Sequence, residues 1–113
     1  MVIESVVVRQ RVDDLDAAVR FYEKLTGRAA SRFAFAGVSL ASVGPFLLFS
    51  GPDEAARQVA GVAATLAVAD LGAAVEAAVV EGAEVVVPVA PTPNGHRAVV
   101  RHPDGGVYEY VGP

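Results

Sequence analysis

The chain has 113 residues, of which 53% are hydrophobic and 19% charged, with no cysteine and a formal net charge of −4. That length and composition suit one ordinary domain with a packed core and argue against long disordered tails. The absence of cysteine excludes disulfides, thiolate nucleophiles and cysteine metal sites, and the acidic balance makes nucleic acid a poor partner, because a phosphate backbone would be repelled.

The N-terminus, Met1-Val2-Ile3-Glu4, has no basic segment ahead of an apolar one, so no signal peptide is expected. Residues 33–52 are uncharged, but Gly37, Ser39, Ser42, Gly44-Pro45 and Ser50 divide them into strand-sized pieces rather than a membrane span. No membrane partner is expected, and the expected location is cytoplasmic.

Residues 2–11 are valine-rich and bounded by charges, which predicts a strand. Asp13 and Asp14 offer N-cap oxygens. Leu15, Ala18, Val19, Tyr22 and Leu25 then form one helical stripe, and Gly27 supplies a left-handed stop, so a helix is predicted over 14–26. Three strands follow at about 28–36, 38–43 and 45–50, separated by Gly37 and Gly44-Pro45. Residues 52–59 read as a linker with a short helix.

The pattern then restarts. A strand at 60–69 leads to the N-cap Asp70, a stripe of Leu71, Ala74, Val75, Ala78 and Val79, and a stop at Gly82. Strands are predicted at about 83–90, 95–101 and 106–111, with turns at Pro91, Pro93-Asn94-Gly95 and Pro103-Asp104-Gly105-Gly106. Residues 12–19 (VDDLDAAV) match residues 68–75 (VADLGAAV) at six of eight positions, offset by 56 residues, half the chain. Two copies of a mixed unit fit this better than a solenoid, which needs shorter and more numerous repeats. The predicted class is α+β, one domain over 1–113, with module 1 at about 1–51 and module 2 at about 60–113.

Val12-Asp13-Asp14-Leu15, Phe21-Tyr22, Leu25-Thr26-Gly27 and the closing segment 102–110 (HPDGGVYEY) resemble the vicinal oxygen chelate superfamily, which includes glyoxalase I, the bleomycin-resistance proteins and the extradiol dioxygenases. The resemblance covers the whole chain. It implies two βαβββ modules whose curled mixed sheets surround a central pocket, commonly in a homodimer. It also implies metal ligands on the first and last strands of each module. The positions matching those ligands fall on Val7, Ala63, the run 46–49 (most nearly Leu48) and Glu109. Only Glu109 has a donor, and one carboxylate is a poor holder for a catalytic metal, which typically takes about three protein ligands. The expectation is therefore the fold without the usual metal, and no other cofactor.

Glu109 lies between Tyr108 and Tyr110, so strand alternation turns it away from both tyrosines. If the tyrosines face a helix, Glu109 faces the pocket, as a base or as a partner for a cationic ligand. Arg9 and Arg11 share a strand face with Val7, and the resemblance implies that Arg11 holds a substrate carboxylate; a surface or interface salt bridge is the competing reading. Phe33, Phe35, Phe46 and Phe49 are candidate aromatic walls or simply core. His96 and His102 read as loop and turn residues. No nucleophile elbow, Walker-type loop or dinucleotide-binding glycine motif is present.

The ligand-binding set read from the sequence is Val7, Arg9, Arg11, Leu48, Ala63 and Glu109, with Glu109 the one catalytic candidate. Two function classes stay open. The first is a homodimeric binding protein that sequesters a small hydrophobic antibiotic or metabolite without metal. The second is a lyase, isomerase or dioxygenase acting on a small oxygenated substrate. A subunit that only dimerises is a third.

Overall fold

The structure, a computed structural model, describes residues 2–113. Its eight strands and three helices run β1 (Ile3–Arg11), α1 (Leu15–Thr26), β2 (Ser31–Phe35), β3 (Val38–Val43), β4 (Phe46–Ser50), α2 (Asp53–Ala60), β5 (Ala64–Val68), α3 (Leu71–Val80), β6 (Glu84–Thr92), β7 (Gly95–Arg101) and β8 (Val107–Gly112). This is the mixed α+β order of two βαβββ modules. Two compact units result, residues 7–61 and residues 62–113, the latter together with the N-terminal stretch up to Val6.

In the unit of residues 7–61, strands are ordered β2-β3-β4-β1; β1 runs parallel to β4 and the other pairs are antiparallel. Helix α1 begins where Asp14 Oδ1 accepts from the Ala17 amide at 3.0 Å, and it ends at Gly27, whose φ of 69° no β-carbon hinders. Strand β2 starts at Ser31, later than the sequence suggests. The preceding amides are already held by the helix end: Arg28 donates to Thr26 Oγ1 and Ala30 to the Glu23 carboxylate.

Both faces of β3 and β4 are covered. Helix α1 brings Val19 onto Ala41, Val43 and Leu48, joined by Tyr22 and Phe46, whose rings lie 4.6 Å apart. On the other face α2 brings Ala56 and Val59 onto Val38, Leu40 and Phe49. The stretch read from the sequence as a linker is thus a core helix of this unit. Burying a leucine or phenylalanine in such a cluster contributes roughly 1.5–3 kcal/mol each.

In the unit containing residues 62–113, the order is β5-β8-β7-β6, with β5 parallel to β8 and the rest antiparallel. Asp70 caps α3 as Asp14 caps α1, its Oδ1 accepting from the Ala73 amide at 3.1 Å. The repeated motif is therefore a repeated strand-to-helix joint. Leu71 and Ala74 seat α3 on Leu66, Val68, Ala98, Val100 and Tyr110. Strand β6 runs on through Pro91 to Thr92, past the predicted turn. It lies at the end of its half-sheet and is interrupted by register shifts, where proline is tolerated.

Candidate active site

Strand β8 alternates as its sequence predicts. Tyr110 is fully buried in the α3 cluster and Tyr108 packs beside it, so Glu109 emerges on the opposite face. Parallel pairing sets Thr65 beside Glu109, and antiparallel pairing sets Val99 beside it, with Arg97 two residues along on the same face. The cluster closes through short bonds. Thr65 Oγ1 donates to Glu109 Oε1 at 3.0 Å, and Arg97 Nε donates to Glu109 Oε2 at 2.7 Å. The Glu109 side chain is 16% exposed and that of Arg97 37%, so a partly desolvated ion pair sits at a half-open surface.

Among the described residues, no group of three or more histidine, aspartate or glutamate side chains could hold a metal ion. Glu109 is instead neutralised by a guanidinium, and Val7, Ala63 and Leu48 bring no donor atoms. The residues do not fit the metal site of the family's metalloenzymes.

The remaining predicted residues are distributed as follows. Val7, Arg9 and Arg11 share the face of β1 that also carries Leu47 and Phe49 of β4. Arg9 Nη1 donates to the Val59 carbonyl at 3.2 Å, tying β1 to the end of α2. Arg11 Nη2 donates to Asp53 Oδ1 at 2.7 Å and to the Gly51 carbonyl at 3.3 Å, so its fork is engaged by the start of α2. Leu48 is not on this face: it is fully buried under α1, and Leu47 takes the position expected of it. Ala63 is exposed just ahead of β5, its amide donating to the Val107 carbonyl at 2.8 Å. Phe33 and Phe35 share their face with Leu40 and Val38 and stay 49% and 69% exposed, whereas Phe49 is core.

Thr65 and Arg97 are the functional candidates that the sequence reading missed. The signal for Arg97 was the hairpin register. Counting outward from the Pro103–Gly106 turn sets Val99 opposite Glu109, and Arg97 on the same face.

His102 closes that turn. Its Nε2 lies 2.6 Å from the Tyr110 hydroxyl and its ring stacks on Tyr108 at 4.4 Å. Burial, and secondarily the neighbouring Tyr108, pushes the Tyr110 hydroxyl above the ordinary tyrosine range. His96, on β7, points its Nδ1 at the Pro113 carbonyl, 3.2 Å away.

The family model of the Glyoxalase/Bleomycin resistance protein/Dioxygenase superfamily matches residues 4–110. No curated protein matches the chain. Among solved structures, an uncharacterized protein of Methanosarcina mazei is 36% identical, with a TM-score of 0.88 over 99% of this chain and 94% of that one. Methylmalonyl-CoA epimerase of Mycobacterium tuberculosis is 22% identical, with a TM-score of 0.67 over 98% of this chain and 89% of that one. A Streptomyces coelicolor methylmalonyl-CoA epimerase variant, in complex with 2-nitronate-propionyl-CoA, is 17% identical, with a TM-score of 0.69 over 98% of each chain. At those lower identities the likeness to the epimerases is one of fold. With the matched model spanning nearly the whole sequence, the chain belongs to the Glyoxalase/Bleomycin resistance protein/Dioxygenase superfamily.

Proposed function

We propose that this chain is a metal-independent, cytoplasmic, homodimeric binding protein that sequesters a small apolar molecule bearing an oxygen or cationic group. The ligand's polar group meets the Glu109–Arg97–Thr65 cluster and its body lies along the apolar side chains of the same sheet face. The observation that carries this reading is the Arg97–Glu109 bond at 2.7 Å. The pair places a donor and an acceptor side by side on an apolar strand surface, which orients a ligand without needing an ion. No helix of the described residues is long and apolar enough to cross a membrane, in keeping with a diffusible ligand carrier.

A second reading is an isomerase or lyase in which Glu109 takes a proton next to a carbonyl. The fold shared with methylmalonyl-CoA epimerases favours it. Against it, both Glu109 oxygens already accept bonds, from Thr65 and from Arg97. Proton abstraction would require one of those bonds to open, or the substrate to approach a remaining lone pair.

The two readings separate in one experiment. The full chain is screened by ligand-observed NMR against apolar carbonyl, carboxylate and amine compounds, and each hit is followed over time. The binding reading predicts hits that weaken at least tenfold in Glu109→Gln and remain chemically unchanged. Conversion of a hit, or solvent deuterium appearing beside its carbonyl, would replace that reading with the enzymatic one. Hits indifferent to Glu109→Gln would sink both.

A further inference from the structure

A separate concavity lies on the other side of the β8 sheet from Glu109. It has a volume of about 700 Å³ and forms where the last turn of α3 meets the turn before β8. Its floor is apolar, made by Ala77, Ala78, Ala83, Pro103 and the buried Tyr110. His102 forms a fixed wall, held by the Tyr110 hydroxyl and by stacking on Tyr108.

Three sources of negative potential meet at this cleft. Glu81 and Asp104 line it, and neither is paired with a cation among the described residues. The third source is the C-terminus of α3. Helices α1 and α2 carry Lys24 and Arg57 in their last turns, whereas α3 has no basic residue there. A helix C-terminus carries the equivalent of about half a negative charge; here the Glu81, Gly82 and Ala83 amides cap the Ala77, Ala78 and Val79 carbonyls, so the helix end is the weakest of the three sources. Arg101, the nearest arginine in sequence, is paired with Glu84 at 3.5 Å and does not line the cleft.

We propose that this cleft is a second binding site, for a small organic ammonium ion with an apolar body. The carboxylates and the helix end attract the charge, and the alanine, proline and tyrosine floor takes the hydrocarbon. A bare metal ion lacks the apolar half of the match, and an anion is repelled. The volume is in the range of small-molecule sites, about 300–1,000 Å³. This site is independent of the Glu109 cluster and stands whether or not that reading holds.

The test is a ¹⁵N NMR titration of the full chain with phenethylammonium, alongside the neutral 2-phenylethanol and the anionic 3-phenylpropionate. The expected result is saturable shifts of the Ala77–Ala83 and His102–Gly105 amides by the ammonium alone, weakening as salt is raised. In Glu81→Gln/Asp104→Asn, whose fold is checked by the unchanged remainder of the spectrum, affinity drops about fivefold, as expected for two exposed charges. Equal binding of the alcohol, undiminished binding by the double variant, or shifts confined to the amides around Glu109 would overturn the proposal.

Discussion

The Glu109–Arg97 pair can be weighed by a double-mutant cycle. A hydrogen bond to a charged group contributes about 1.5–3 kcal/mol when well shielded. Here Glu109 is 16% exposed but Arg97 is 37% exposed, so water screens the guanidinium and the value must be discounted. The expected coupling is about 1 kcal/mol, lost in part at high salt. Glutamine at 109 keeps the shape and a carbonyl for Arg97, so the cycle removes charge rather than volume. Urea unfolding of wild type, Glu109→Gln, Arg97→Gln and the double variant reads the coupling directly, with other neighbours of each residue cancelling. A chain of this size shifts by about 4 °C in Tm per kcal/mol, so melts give a second reading. Strict additivity, a coupling below about 0.3 kcal/mol, would mean that the two side chains do not hold each other and that the anchor is absent in solution.

Three further outcomes follow from the packing. Leu48→Ala should cost about 2–4 kcal/mol in urea unfolding, because Leu48 is fully buried under α1; a cost below about 1 kcal/mol would place it on an accessible face instead. Gly95→Ala should cost more than about 2 kcal/mol, since Gly95 sits at φ 153° and an added β-carbon would collide with the Gly112 carbonyl oxygen; a neutral melt would contradict that turn. Tyr110 keeps its proton above the ordinary value of 10.0 when folded, so the unfolded chain releases its proton first. Its contribution is fully present below about pH 10 and is lost as pH rises from there through the folded-state value. Tyr110→Phe should flatten that alkaline loss, and an unchanged slope would show that other groups cause it.

The fold was legible because its signals are local. Asp14 and Asp70 cap their helices as their positions after a strand suggest, and Gly27 adopts the left-handed stop. The face of β4 was not legible. Phe46-Leu47-Leu48-Phe49 is apolar throughout because α1 covers one side and α2 the other, so the period-two signal that marks an inner face is missing. With no alternation to correct it, the resemblance put the site on Leu48, whereas Leu47 is the residue on the face of Arg9 and Arg11. A short helix in the linker was read from the sequence, but its place in the core was not, because its anchors are only Ala56 and Val59 behind a polar opening. Around Glu109, alternation with two tyrosines gave the face. Its partners Thr65 and Arg97 depend on pairing with two other strands, 44 and 12 residues away in sequence. Arg11 matched a family position, yet the structure ties it to Asp53, which the resemblance did not anticipate.

Metal-independent binding at Glu109 is tested most directly by calorimetric titration of the metal-stripped chain with nickel, zinc, manganese and ferrous ions, with Glu109→Gln alongside. With one carboxylate already held by Arg97, the expected result is no binding tighter than roughly millimolar, about −4 kcal/mol. Tight one-to-one binding that disappears in Glu109→Gln would contradict the account, and would make this chain a metalloprotein whose ligands rearrange around Glu109.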